Sequence, residues 1–110
     1  MKELLFLGRS RADLRGFPEG ARTDAGRELL KVQHGAEPTN WKPMTSIGSG
    51  VAEIRVSDAT GAFRVVYVAK FEEAVYVLHC FEKRQQKTSR ADLDLATSRY
   101  RDLVRDRTRN

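Results

Sequence analysis

Apolar and polar positions divide the first half of the chain into a strand, a helix and a loop. Residues 2–7, KELLFL, predict a short strand, and residues 9–16, RSRADLRG, predict a turn or a short helix. After Pro18, which suits the first turn of a helix, apolar side chains recur along one helical face. They are Ala21, Ala25, Leu29 and Val32. Gly35 is expected to cap this helix, and residues 36–50, rich in proline and glycine, predict an ordered loop.

The central part of the chain predicts three consecutive strands. Residues 51–56, VAEIRV, alternate and place Glu53 and Arg55 on one face, opposite the apolar side chains. Residues 62–70, AFRVVYVAK, form an almost wholly apolar run, and residues 74–83, AVYVLHCFEK, form the third strand. Because the connections SDATG and FEE are short, we expect an antiparallel meander.

The C-terminal segment predicts a helix that begins after Thr88 or Ser89. Ser89 and Asp92 have the spacing of a capping box, and an apolar stripe follows at Leu93, Ala96, Tyr100 and Leu103. Residues 105–110, RDRTRN, are expected to fray. The succession of strand, helices, three strands and helix predicts a small α+β fold, an antiparallel sheet flanked by N-terminal helices and a C-terminal helix.

The totals predict one domain in a reducing compartment. A chain of 110 residues is long enough for a single core and too short for two. The only cysteine, Cys80, lies in an apolar run and is expected to be buried. The apolar core of the N-terminus, residues 4–7, is too short for a secretory signal, and no run is long enough to span a bilayer. The sequence therefore predicts a cytoplasmic protein with no membrane partner.

The charge favours a polyanionic partner. The formal net charge is +5 at pH 7, which suits nucleic acid or an acidic protein. The excess is concentrated in residues 83–90, KRQQKTSR, which contain four basic side chains and no acidic one. This segment is either one wall of a phosphate-binding site or a solvated exit from the third strand.

Several kinds of site are excluded by the residues present. The sequence has no glycine-rich phosphate loop ending in Lys-Ser/Thr, no paired-cysteine motif and no His-Glu-x-x-His. Two histidines and one cysteine, far apart along the chain, are poor material for a zinc site. The remaining candidates for chemistry are arginine, lysine and glutamate side chains on the strands.

Arg64 is the most informative of these side chains because it interrupts an apolar strand. An unpaired buried guanidinium is costly, so Arg64 either pairs with a carboxylate or opens onto a functional surface. Glu53 and Arg55 on the preceding strand are placed to lie beside it. A Glu53–Arg64 pair that only satisfies charge and a phosphate site that also includes Lys83 both remain open from the residues alone.

Two further residues, His79 and Trp41, have structural interpretations, and His79 also has a functional one. His79 alternates with Val77 and Phe81, which favours a core-edge position, although a histidine also suits general acid or base catalysis. Trp41 is expected to pack the loop onto the body of the domain.

Four segments in this order carry a resemblance to a known family. WKPM, GSGVAEIRV, FRVVYVAKF and VYVLHCFEKRQQKT resemble the RelE/ParE toxin superfamily and, within it, the HigB-like, phage-related branch. The resemblance runs from the first strand to the last helix. It implies that residues 1–110 form a single RelE-like domain with a small twisted antiparallel sheet flanked by helices.

The resemblance also implies a function and its partners. It implies one of the mRNA-cleaving members of the superfamily, which are toxins of type II toxin–antitoxin systems and commonly act on the translating ribosome. They need no metal and no other cofactor, because the ribose 2′-hydroxyl attacks the adjacent phosphate and leaves a 2′,3′-cyclic phosphate. The expected partners are mRNA, the ribosome and a helix-turn-helix antitoxin that holds the toxin in a hetero-oligomer.

The site residues follow from the resemblance position by position. Arg64 matches the strand arginine that acts on phosphate, and Glu53 and Arg55 match the pair on the preceding strand. Lys83 and His79 complete the expected catalytic set. The expected RNA-binding residues are Arg84, Lys87 and Arg90. The general base stays open between His79, Glu53 and Tyr67, of which Tyr67 is out of phase with Arg64 and is expected in the core.

Two other functions remain open from the sequence. A ParE-like relative keeps the fold but inhibits DNA gyrase, and such a protein has no need for several converging cations. A non-catalytic module that binds RNA or an antitoxin is the second alternative.

Overall fold

The structure is a computed structural model that describes residues 1–109. Its elements, in chain order, are β1 (Glu3–Phe6), α1 (Ser10–Arg15), α2 (Glu19–Gln33), β2 (Trp41–Pro43), β3 (Val51–Asp58), β4 (Gly61–Val68), β5 (Ala74–Lys83) and α3 (Arg90–Arg107). None of the helices in residues 1–109 has the length and apolar character to cross a bilayer.

The five strands form one sheet in the order β1-β5-β4-β3-β2, which confirms the predicted α+β class. The pairs β3–β4 and β4–β5 are antiparallel, as their short connections predict. The prediction of a wholly antiparallel sheet is wrong, because β1 pairs in parallel with β5, with Glu3 opposite Ala74. β1 and β5 are separated by most of the chain, so no turn between them could reveal their relative direction.

The predicted loop 36–50 contains the edge strand β2, which pairs antiparallel with β3 so that Lys42 lies opposite Glu53. A strand with Pro43 at its end is tolerated at an edge because no further strand needs its missing N–H. Trp41 keeps 36% of its surface exposed, and its predicted part as an anchor stays a prediction. The segment is also held to α2 by the backbone N–H of Thr39, which donates to Glu28 Oε2 at 2.8 Å.

Two apolar clusters cover the two faces of the sheet. One cluster joins α1 and α2 to the face of β4 that carries its odd-numbered residues, including Val65 and Tyr67. The other joins α3 to the opposite face, including Val66 and Val68. Because each face is covered, the almost continuous apolar sequence of β4 and β5 is explained by burial on both sides.

A β-bulge in β5 changes the face on which the second half of that strand presents its side chains. Val66 pairs with His79, but Tyr67 pairs with Val77, so Leu78 is the extra residue. Val77 belongs to the α1–α2 cluster, whereas Leu78 and Phe81 belong to the α3 cluster. The predicted alternation of His79 with Val77 is therefore wrong, because the bulge moves His79 to the face that α3 covers.

The last helix begins where it was predicted and ends later. Ser89 is its N-cap, and Ser89 Oγ accepts a hydrogen bond from the Asp92 N–H at 3.1 Å. Fraying from Arg105 onward was wrong for Arg105–Arg107, which are helical; Asn110 lies outside the described residues. The C-terminal turn is held because Arg107 donates to both carboxylate oxygens of Glu73, at 2.7 and 3.0 Å.

Candidate functional site

A cleft of about 380 Å³ opens on the α3 side of the sheet, between β2, β3, the end of β5 and the start of α3. Its charged lining residues are four cations, Lys42, Arg55, Lys83 and Lys87, and one carboxylate, Glu53. Met44, Thr45, Ser46, Gln86 and Thr88 contribute apolar and neutral polar surface. The cleft therefore presents an excess of positive charge to any ligand.

The strand pattern explains why these side chains meet. Glu53 and Arg55 lie two residues apart on β3 and share a face, and cross-strand pairing places Lys42 of β2 opposite Glu53. Lys83 ends β5, where it pairs with Ala62 of β4. Lys87 follows in the connection to α3. Residues from three strands and one loop thus converge on one face of the sheet.

Glu53 is buried in the floor of the cleft, with 1% of its surface exposed. Its Oε1 accepts a hydrogen bond from Arg55 Nε at 3.2 Å and lies 3.4 Å from Arg64 Nε. Glu53 Oε2 is buried and has no hydrogen-bond partner among residues 1–109. Because a buried carboxylate is costly unless it is paired, Glu53 depends on both arginines, and it fixes the positions of both.

Arg64 lies on β4, directly opposite Arg55 of β3 and Phe81 of β5. Its side chain is only 11% exposed, and Nη1 donates to the Phe63 carbonyl at 3.0 Å. Burial lowers the pKa of Arg64, Glu53 opposes this shift and Arg55 adds to it. The carboxylate partner predicted from the sequence is therefore present, and the resulting pair lies beneath the cleft between Arg55 and the end of β5.

The three lysines of the cleft differ from the arginines because they form no ion pair in the part of the chain that the structure describes. Lys83 is half-buried, whereas Lys42 and Lys87 are exposed. Sequence reasoning missed Lys42, because residues 36–50 were expected to be a loop. The signal available was its place in WKPM, one of the four segments that carry the family resemblance.

Two predicted RNA-binding residues lie outside the cleft. Arg84 has an 80% exposed side chain, lies 3.2 Å from Glu82, and lines a neighbouring depression that shares Lys83 and Lys87 with the cleft. Arg90 lies on the solvent face of α3, where its Nε is 3.6 Å from Asp94 Oδ1. Among the basic residues of segment 83–90, the structure thus brings only the two lysines into the cleft.

His79 is buried between β5 and the start of α3. Its Nε2 lies 2.7 Å from Asp92 Oδ1, and its ring stacks on Phe81 with the centroids 5.1 Å apart. Asp92 Oδ2 in turn accepts a hydrogen bond from Ser89 Oγ at 2.7 Å. The contacts of His79 therefore tie the first turn of α3 to the sheet. Its predicted catalytic role stays a prediction.

Tyr67 and Cys80 lie in the α1–α2 core, on the other face of the sheet. Burial, with a contribution from Glu37, raises the pKa of Tyr67 to about 12. Burial, with Asp13 nearby, also raises the pKa of the Cys80 thiol. Both positions agree with the predicted core assignments. Neither group contributes to the cleft, and a tyrosine this hard to deprotonate is a poor general base near neutral pH.

A comparison with protein families identifies the chain at this point. The family described as Phage derived protein Gp49-like (DUF891) matches residues 12–101. The chain belongs to this phage-derived Gp49-like family. The family is RelE-like and associated with toxin–antitoxin systems, so the predicted resemblance is confirmed at this level, and assignment to the HigB-like branch stays a prediction. No curated protein matches the sequence.

Proposed function

We propose that this Gp49-like protein is the toxin of a type II toxin–antitoxin system and cleaves mRNA on the translating ribosome. One observation carries the proposal: Lys42, Arg55, Lys83 and Lys87 converge on one cleft around the buried Glu53. Membership of a RelE-like family supports a toxin. A surface that only contacts another protein has no need to hold four cations around one cleft.

The chemistry suited to this cleft is attack of a ribose 2′-oxygen on the adjacent phosphorus. The P–O5′ bond breaks, the 2′-hydroxyl loses its proton, the departing O5′ gains one, and the products are a 2′,3′-cyclic phosphate and a 5′-hydroxyl. The phosphorane transition state carries more negative charge than the substrate. Preorganised cations stabilise that charge selectively, and we assign this part to Lys83, Lys87, Lys42 and Arg55.

The other predicted catalytic residues support these cations in the proposed mechanism. Arg64 adds positive potential from beneath the cleft, and Glu53 keeps Arg55 in place. Glu53 and His79 remain the two candidates for the general base, and both need a rearrangement to act. Glu53 is held between two guanidinium groups, and His79 is bonded to Asp92.

The proposal includes a cognate helix-turn-helix antitoxin that binds the toxin as a hetero-oligomer and blocks access of RNA to the cleft. It also includes a cytoplasmic location, where mRNA and ribosomes are found. Cleavage in the presence of EDTA is expected, because the proposed reaction uses the 2′-hydroxyl and protein cations and no metal.

The deciding experiment is tightly controlled expression with separate measurement of leucine and thymidine incorporation. We expect early loss of leucine incorporation with cuts in mRNA coding regions. Replacing Lys83→Ala should slow cleavage about a hundredfold, which corresponds to roughly 3 kcal/mol of lost transition-state stabilisation. Arg27→Ala is the matched control, since Arg27 is an exposed arginine on α2 that pairs with Asp24.

Two results would contradict the proposal. Early loss of thymidine incorporation with intact mRNA would indicate a gyrase-directed, ParE-like toxin. Binding of RNA without cleavage, and without any effect on growth, would indicate a non-catalytic module.

A further inference from the structure

A second concentration of positive charge lies on α1, on the residue before it and near the start of α2, on the side of the sheet opposite the cleft. We use the term α1 arginine row for Arg9, Arg11, Arg15 and Arg22. All four side chains are exposed, and none forms an ion pair in residues 1–109. Arg11 and Arg15 are four residues apart and share a face of α1, and Arg22 Nη1 donates to the Arg15 carbonyl at 3.4 Å.

Lack of pairing distinguishes this row from three exposed arginines elsewhere on α2 and α3. Arg27, Arg90 and Arg105 each lie within an ion-pair distance of an aspartate on the same helix. The only carboxylate on α1, Asp13, lines a hollow of about 470 Å³ between α1, Phe63 and Glu82. The positive charge of the row is therefore not neutralised by its neighbours.

The axis of α1 runs toward the end of the sheet at which the cleft lies. At the start of the helix, Ser10 Oγ donates to the Val77 carbonyl of β5 at 3.2 Å. After its last turn, Gly16 and Phe17 line the hollow together with Cys80 and Glu82. The helix thus follows β5 from the bulge to the end that carries Lys83.

Three adjoining depressions lead from the cleft to the side of α1 that carries Ala12, Asp13 and Gly16. The hollow beside α1 shares Phe81 and Glu82 with the depression lined by Lys83, Arg84 and Lys87. That depression shares Lys83 and Lys87 with the cleft. Glu82 lies on this path, but it is paired with Arg84 at 3.2 Å. A continuous groove therefore runs from β2, around the end of β5, to α1, where its lining residues Ala12 and Gly16 directly follow Arg11 and Arg15 in the sequence.

We propose that the α1 arginine row is a second phosphate-binding surface for the same RNA strand that occupies the cleft. A single strand carries a phosphate at every nucleotide, so it can follow this curved groove and place later phosphates against Arg11 and Arg15. Guanidinium groups donate two parallel hydrogen bonds to phosphate oxygens. The proposal rests on the proposed function, because it takes RNA as the ligand of the cleft.

The test measures binding of 2′-O-methyl oligonucleotides, which lack the nucleophile and stay intact. Strands of about four and about twelve nucleotides, within the range of single-strand sites, distinguish the cleft alone from the whole groove. The test variant is Arg11→Ala/Arg15→Ala, and the matched control is Arg27→Ala/Arg105→Ala, which removes two exposed arginines that have carboxylate partners.

We expect the α1 variant to bind the longer strand about tenfold more weakly in about 150 mM salt, with the log–log salt slope reduced by roughly 1.4 for two lost single-strand contacts. Binding of the short strand should be unchanged. The control variant should lose less affinity than the α1 variant for the longer strand, and its binding of the short strand should also be unchanged.

Equal affinities of the α1 variant and the natural protein for the longer strand would overturn the proposal. So would an equal loss for both lengths, or no binding of either strand by the natural protein. If the natural protein bound poly-glutamate of matched charge as tightly as the longer strand, and the α1 variant did not, the row would be assigned to an acidic protein instead. If the natural protein failed to cleave RNA but the α1 variant still lost affinity only for the longer strand, the proposed catalysis would be wrong. The proposed binding of RNA by the α1 arginine row would still stand.

Discussion

Among single residues, Glu53 determines how the cations beneath the cleft are arranged. One oxygen of this buried carboxylate serves Arg55 and Arg64 together. The other oxygen has no partner among residues 1–109. Charge pairs of this kind add little net stability, but removal of one member leaves the others uncompensated. Any test of Arg64→Ala therefore needs the free energy of unfolding to be measured alongside activity.

Replacing Glu53→Gln keeps the shape of the side chain and removes its charge. Two guanidinium groups, on residues that lie directly opposite each other on β3 and β4, then lose their counter-charge. We expect a loss of about 3 kcal/mol in the free energy of unfolding, measured by urea denaturation.

Asp94→Asn is the control for this change, because it removes the carboxylate from an exposed pair with Arg90 and should cost less than about 1 kcal/mol. A Glu53→Gln protein as stable as the control would show that the pair does not support the fold.

At the scale of elements, the segment between β2 and β3 forms one wall of the cleft and is held by α3. Gly48 packs so closely on Tyr100 that an added Cβ would lie 2.2 Å from a ring atom. Tyr100 also donates a hydrogen bond to the Ser49 carbonyl at 3.1 Å and accepts one from Lys70. The position of Met44, Thr45 and Ser46 in the cleft thus depends on a contact with a helix that begins about forty residues later.

Gly48→Ala is expected to destabilise the protein by roughly 2 kcal/mol through overpacking against the ring. In a Tyr100→Ala background the added methyl group has room, so the same substitution should cost much less. The measurement is a double-mutant cycle of unfolding free energies. Equal costs in the two backgrounds would mean that the ring contact is not what constrains Gly48.

At the scale of the whole molecule, α3 is fastened to the sheet at both ends. Its start is joined to β5 through Asp92 and His79. Its end is joined to the β4–β5 connection through Arg107, whose guanidinium also lies 3.8 Å from the centroid of the Phe71 ring. The cleft lies beside the first of these joints, and the acid stability of the protein depends on the second.

The hydrogen bonds from Arg107 hold the pKa of Glu73 at about 2, well below its ordinary value of 4.5. Because the pKa is lower in the folded state, the contribution to stability is complete above about 4.5 and is lost as the pH falls toward 2. Melting temperatures between these pH values should therefore fall more steeply for the natural protein than for Glu73→Gln.

Glu72→Gln is the matched control, since Glu72 is an exposed neighbour that forms no ion pair in residues 1–109. The melting temperature of Glu72→Gln should fall with pH as steeply as that of the natural protein. Parallel curves for all three proteins would contradict the assignment of acid sensitivity to the Arg107–Glu73 pair.

The pattern of apolar and polar residues close together in the sequence determined most of the fold. Helical spacing located α2 and α3, alternation located β3, and the lengths of the turns determined the antiparallel pairs, because each of these signals depends on residues close in sequence. The same locality identified Glu53, Arg55, Arg64, Lys83 and Lys87 as neighbours, since adjacent strands of a meander place alternate residues on a common face. The RelE-like family was evident from four segments and their order.

Contacts between distant segments decided the rest. Three features depend on partners far away in sequence: the parallel pairing of β1, the strand around Lys42 and the bulge that turns His79 toward α3. The periodicity of neighbouring residues therefore could not predict them. The burial of Arg64 and the exposure of the α1 arginine row were likewise decided by packing, because the same residue type is covered on one element and left exposed on another. The sequence by itself determined which cationic side chains this protein has, and only the tertiary structure decided which of them share one cleft, because that depends on contacts between distant segments.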